Sequence, residues 1–193
     1  MLAAFTLNEL TPFVFSLQPA QSHALYHGPL KSQSEHKLAD LFEAERELPL
    51  APLTAMPDEI SVINVFSLGS AQAVERVSAS IADEPHLVAY SGIAIHEREM
   101  GEHVTKEPAL HWIDIHHSLG SKGNGINHLR KELEIDHVIA FGDGDNDLSM
   151  FECASECYAP ANADPIILNA ADEIIGHHDE DGVARFLRKR FEL

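Results

Sequence analysis

Residues 138–150 read VIAFGDGDNDLSM, a short apolar run followed at once by Asp143, Asp145, Asn146 and Asp147. A continuous run of this kind fits a buried strand of a parallel sheet better than an exposed strand, which would alternate. In open parallel sheets ligands gather at the carboxyl ends of the strands, where Asp143 falls two residues past Phe141. Acids this close repel one another unless a cation sits among them or a helix begins there. A helix start accounts for Asp145 to Asp147, since carboxylates suit the positive end of the helix dipole. The cluster is thus either a capping turn or half of a cation site, and the remainder of the chain has to separate the two.

Charge narrows the field of partners. The 193 residues carry 31 acids against 13 lysines and arginines, a net charge of −18. That field repels nucleic acid and anionic membrane surfaces, so no nucleic-acid or membrane partner is expected. No apolar run approaches the roughly 20 residues of a membrane span. The N-terminus, MLAAFTLNELTPF, lacks a basic region and a cleavage signal, which predicts a cytoplasmic protein. Cys153 and Cys157 match no zinc spacing and read as reduced thiols.

Two textures divide the chain. In residues 1–117, PFVFSL and SHALYHGPL read as a hairpin around QPAQ, and Ser34 is placed to cap a helix bearing Leu38, Leu41 and Phe42. EISVINVFSL is a strand, Ser70 caps a helix with Val74, Val77 and Ile81 on one face, and HLVAYSGIAIHE and ALHWIDIHH are two more strands. The order β-β-α-β-α-β-β predicts an α+β sheet with helices on one face. In residues 118–193 helices and strands alternate. A helix follows SLGSKGNG with Ile126, Leu129 and Leu133 inward, and then come HVIAF, a short helix, ECYAPAN, a helix near 164–171, EIIG and a last helix from Asp181. This half is expected to form a doubly wound parallel layer, so the fold class is α/β with a boundary near 115–120.

Among metals, Ca²⁺ in an EF-hand loop fails. Acids stand at positions 1, 3 and 5 counted from Asp143, but Leu148 replaces the glycine of position 6 and Ala154 the glutamate of position 12. Mg²⁺ asks for fewer protein ligands and fits better. The stretch Gly142-Asp143-Gly144-Asp145-Asn146-Asp147-Leu148-Ser149-Met150 resembles the last signature motif of the haloacid dehalogenase (HAD) superfamily, in its Cof-type phosphatase branch. Lys122-Gly123 is similar to the conserved-lysine motif upstream of it. Asn162-Ala163 and His178 to Ala184 resemble the C-terminal pattern of the branch. The resemblance implies a partial Rossmann-like HAD core in 118–193 and an α+β cap domain in 1–117. It further implies Mg²⁺ as cofactor, Asp143 and Asp147 as metal ligands, Lys122 as the catalytic lysine that also binds substrate, and Asn146 as a substrate or metal-water contact. The substrate would be a small phosphorylated metabolite, a sugar phosphate among the candidates, chosen by the cap.

The family's nucleophile motif, D-x-D-G-[TS], has no counterpart. D-x-D occurs at Asp143–Asp145, inside the last motif, and at Asp179–Asp181, where Val183 stands in place of Thr or Ser. The chain begins where a relative would be entering its cap. The resemblance therefore implies a truncated form, whether by gene, start codon, cloning or division into subunits, with no covalent chemistry of its own. A non-catalytic remnant serving in binding or assembly is the alternative. With the first core strand missing, HVIAF would lie at an open edge, and a homodimer covering residues 137–141 or their flanking helices is expected.

Other residues carry less. The pairs His116-His117 and His177-His178 are read as strand neighbours pointing to opposite faces, and so as poor chelators. Trp112 is read as packing, and RFLRKRF as a basic last turn suited to the helix dipole.

Overall fold

The computed structural model describes residues 1–17, 23–46, 48–94 and 109–193, which form two compact units, Met1–Ser118 and Leu119–Leu193. The QPAQ turn and the EMGEHVTKEP stretch fall outside the described residues.

The first unit runs α1 (Leu2–Leu7), β1 (Phe13–Leu17), β2 (His23–His27), α2 (Gln33–Arg46), β3 (Leu50–Pro52), β4 (Ser61–Gly69), α3 (Ala71–Ile81), β5 (Leu87–Ile93) and β6 (His111–His117). One six-stranded sheet has the order β3-β2-β1-β4-β6-β5. Its pairings are antiparallel except for β2 with β3. Helices cover both faces of it, not one as expected. Val14, Tyr26, Val65, Ile113 and Ile115 pack with Phe5 of α1 and with Val74, Val77 and Ile81 of α3. Phe13 and Leu25, one position out of phase, pack with Ala39 and Phe42 of α2. Two-sided burial explains why PFVFSL is a continuous apolar run without alternation: Phe13 and Val14 are both fully buried.

Side-chain caps fix the starts of α2 and α3. Ser70 accepts from the Ala73 amide at 3.2 Å, as its position predicts. The start of α2 is set by Ser32 rather than Ser34. The Glu35 amide donates to Ser32 Oγ, and Glu35 Oε2 accepts from the Lys31 and Ser32 amides at 2.5 and 2.7 Å, a reciprocal capping box. On β6, Trp112 packs against Gly92 of β5, where a Cβ would come within 3.0 Å of the indole.

The second unit runs α4 (Lys122–Leu133), β7 (Ile139–Phe141), α5 (Leu148–Phe151), β8 (Glu156–Pro160), α6 (Pro165–Ala170), β9 (Glu173–Ile175) and α7 (Gly182–Phe191). The strands form a parallel sheet in the order β7-β8-β9, with β7 at its edge. One face buries Ala140, Cys157 and Ala159 against Phe151 and Ile167. On the other, Phe186 of α7 packs its ring 4.2 Å from Tyr158 and 5.7 Å from Phe141. The expected inward face of α4 is corrected: Leu129 is 55% exposed and Leu133 61%, and Gly123 is the buried position. This helix is held at its ends. Gly123 lies against α5, and Arg130 donates to the carbonyls of Cys153 and Asp136, both at 2.9 Å. No helix among the described residues is long and apolar enough to cross a membrane.

Candidate functional site

Past Phe141 the chain leaves the end of β7, makes a tight turn through 142–144, and enters a short 3₁₀ turn, Asp145–Asp147, that runs into α5. Asp147 organises this loop from inside. It is 4% exposed, and its Oδ2 accepts from the amides of Asp143 at 2.9 Å and Gly144 at 3.2 Å. Its Oδ1 accepts from the Lys122 ammonium, which is half exposed at the start of α4. Burial alone would push the Asp147 carboxyl up. The hydrogen bond from Lys122, those from the two amides and the nearby ammonium charge outweigh it, and the group is held below the usual carboxylate range.

Two glycines make this closeness possible. A Cβ on Gly142 would stand 2.5 Å from Asp147 Cβ, and one on Gly123 would stand 2.2 Å from the Ser149 carbonyl oxygen. The Gly123 amide also donates to Ser149 Oγ at 3.2 Å. The start of α4, which carries Lys122, is thereby seated on the start of α5. Asp143 and Asp145 remain exposed and Asn146 is half-buried. The loop after β8 closes the other side, with the Asp164 amide donating to the Asp143 carbonyl at 2.8 Å.

The residues singled out from sequence thus come together, but in unequal roles. Lys122, Asp143, Asn146 and Asp147 share one strand-end loop system. Both carboxylate oxygens of Asp147 are engaged by protein donors, so it braces the loop, while Asp143 presents its carboxylate outward. The donors on offer to an ion are hard oxygens, which suits Mg²⁺ and not a soft or imidazole-seeking metal.

Of the two histidine pairs, one is found in a strand as expected and the other is not. His116 stacks on Tyr90 at 5.5 Å and His117 on His86 at 5.6 Å, as members of a strand. His177 and His178 are not strand neighbours at all, because β9 ends at Ile175. They enter a 3₁₀ turn that brings their rings to 4.6 Å. The sequence signal that could have shown this is Gly176, a break directly after EII. Both cysteines are free. Cys157 is buried, its thiol donates to the Phe151 carbonyl at 3.2 Å, and burial pushes its pKa up.

A parallel α/β layer whose strand-end loop carries an acidic cluster, with a lysine folded onto it, defines an α/β protein of the ligand-at-strand-end class. Comparison with known proteins gives the family. The sequence model of the haloacid dehalogenase-like hydrolases matches residues 12–187, and the chain belongs to that family. It is 28% identical over 163 residues to a putative phosphatase of Bacillus subtilis, YxeH, covering 83% of this chain and 55% of that protein. A haloacid dehalogenase-like hydrolase of B. subtilis superposes with a TM-score of 0.68 at 20% identity, over 97% of this chain and 67% of the other. A sugar phosphatase of HAD subclass IIB superposes at 0.66 with 19% identity, over 99% and 64%. The chain spans about a third to a half of the length of the curated relatives it matches.

Proposed function

We propose that this chain carries the metal- and phosphate-holding part of a Mg²⁺-dependent phosphohydrolase for a small phosphorylated metabolite. The observation that supports it is the buried Asp147 carboxylate, which ties Lys122 to the loop that presents Asp143. Asp143 is the principal Mg²⁺ ligand, Asn146 a polar contact beside it, and Asp147 the second acid, acting mainly through the loop it braces. Bound there, Mg²⁺ supplies positive charge against a phosphoryl group. Lys122 directs its remaining donors to phosphoryl oxygens, and its pairing with Asp147 keeps the ammonium oriented while no anion is present. Relatives named as phosphatases support a phosphate ester as substrate, and the sugar phosphatase among the structural neighbours supports a sugar phosphate. The unit Met1–Ser118 is proposed as the cap that selects it.

None of the 193 residues lies in a D-x-D-G-[TS] segment. The aspartate that would attack phosphorus in this family is therefore not among them, and loss of such a group costs many orders of magnitude in rate. The same absence favours a second reading, a non-catalytic binding protein. Calorimetric titration with inorganic phosphate in the presence of Mg²⁺ tests the shared part: binding is expected for the wild type and not for Lys122→Ala. Equal affinity in the two would remove the proposed phosphate site. Phosphate release from aryl and sugar phosphates separates the rest. No turnover is expected from this chain alone. Turnover that vanishes in both Lys122→Ala and Asp143→Asn would mean that another carboxylate acts as nucleophile.

A further inference from the structure

The turn between β9 and α7 holds a second cluster, of different chemistry. A ring nitrogen from each of His177 and His178 and a carboxylate oxygen of Asp179 lie within 4.8 Å of one another. The carboxylate lies close to both rings: Oδ1 is 3.3 Å from His178 Nε2, and Oδ2 is 3.7 Å from His177 Nδ1. We infer that His177, His178 and Asp179 form a binding site for a borderline transition-metal dication such as Ni²⁺ or Zn²⁺, separate from the Asp143 loop.

Ligand type makes the first argument. Two imidazoles and a carboxylate are a donor set that late first-row dications bind and Mg²⁺ does not, so the site would discriminate against the ion assigned to Asp143. Backbone order makes the second. The His177 carbonyl accepts from the amides of Glu180 at 3.0 Å and Gly182 at 3.1 Å, and the His178 carbonyl from Asp181 at 3.1 Å. The His178 amide donates to Asn162 Oδ1 at 3.1 Å. A Cβ on Gly182 would come within 1.8 Å of the Gly176 carbonyl oxygen, so the two ends of the turn are pressed together. The backbone of the three ligand residues is thus positioned before any ion arrives, which lowers the part of the ordering entropy that the backbone would lose.

The side chains still have to close in slightly. Metal bonds of about 2.0–2.2 Å place two ligand atoms at most about 4.4 Å apart. His178 and Asp179 are exposed and free to rotate, while His177 is half-buried. His177 Nδ1 also accepts from the Asp179 amide at 3.2 Å, a contact that an ion bound at this nitrogen would replace. Three protein ligands leave a position open to water or an added anion. The turn is tied through Asn162 to the loop after β8, the loop whose Asp164 holds the Asp143 carbonyl. The two sites therefore share one rim of the sheet.

The test uses the whole chain with Ni²⁺, in buffer containing excess Mg²⁺. Amide spectra of the ¹⁵N-labelled wild type should show broadening centred on residues 177–180 and Asn162, with saturation at one ion per chain. Competition against a chromogenic chelator should show the affinity of His177→Ala/His178→Ala reduced by more than the 10–100-fold or so that an outer-sphere partner contributes. The folded shape is checked by circular dichroism, and Asp179→Asn should give a smaller loss. The inference is overturned if Ni²⁺ leaves residues 177–180 unbroadened, or if the double variant binds as tightly as the wild type.

Discussion

Asp147 is the residue on which the loop depends. Replacing it with asparagine removes the charge that two amides and Lys122 share, and leaves an ammonium facing a neutral amide. Hydrogen bonds to a charged acceptor contribute about 1.5–3 kcal/mol each at most, and partial replacement by the new amide oxygen lowers the loss. We expect Asp147→Asn to lower stability by about 1–3 kcal/mol in urea unfolding at neutral pH. Acid should reveal the same group. Its folded pKa lies below the ordinary carboxylate value, so its contribution is complete above that value and lost as the pH falls through the folded one. Glu156 has the same sign. Its pKa falls to about 2, chiefly through the Tyr158 hydroxyl, then through His137 at 2.7 Å and Arg190 at 3.0 Å. The urea midpoint of the wild type should therefore drop as pH falls from about 5 toward 2, and drop less steeply in Asp147→Asn. Parallel curves for the two proteins would show that Asp147 contributes nothing through its charge.

Among the elements, α4 and α5 meet at Gly123. With a Cβ due 2.2 Å from the Ser149 carbonyl oxygen, a backbone atom that cannot swing away, Gly123→Ala has to push the start of α4 off α5. Overpacking of this kind costs about 1–3 kcal/mol, and here it also displaces Lys122. Denaturant midpoints measure the first effect, and weakened phosphate binding the second. A variant as stable as the wild type would show that the helix start is not pinned there. The alternating half of the chain was legible because its signals are local. VIAFGDGDND contains its own strand, turn and acids, and ECYAP and EII are short apolar runs set between breakers. What escaped depends on partners distant in sequence. Helix α1 has six residues, no side-chain cap and no acid in its first turn, and only the burial of Phe5 against α3 reveals its role. Strand β3 is three residues beside β2. Leu129 and Leu133 have helical spacing toward a face that is exposed, so periodicity pointed to burial the unit does not provide. At the site, residue types and spacing led to residues that the structure brings into one loop system. The inward turn of Asp147 could not be read, since its neighbours Asp143 and Asp145 have the same chemistry and stay exposed.

For the molecule as a whole, β7 is an edge strand, paired among the described residues with β8 alone. Edges that carry apolar residues such as Ile139 and Phe141 are commonly covered, and a two-fold contact covers two of them at once. We propose a homodimer through residues 137–141 or the helices beside them. Light scattering at high micromolar concentration should give twice the mass of one chain, and replacing Ile139 with lysine should return it to one. A monomer across that range would end the proposal. We propose more narrowly that the loop braced by Asp147 presents Asp143 to a hard dication. A Mg²⁺ titration followed by the amide resonances of the ¹⁵N-labelled chain tests it most directly. Saturable shifts are expected at Asp143, Gly144 and Asn146, weak because few protein ligands are present, and they should be lost in Asp143→Asn while the variant stays folded. Shifts that are absent, or identical in the wild type and Asp143→Asn, would contradict it.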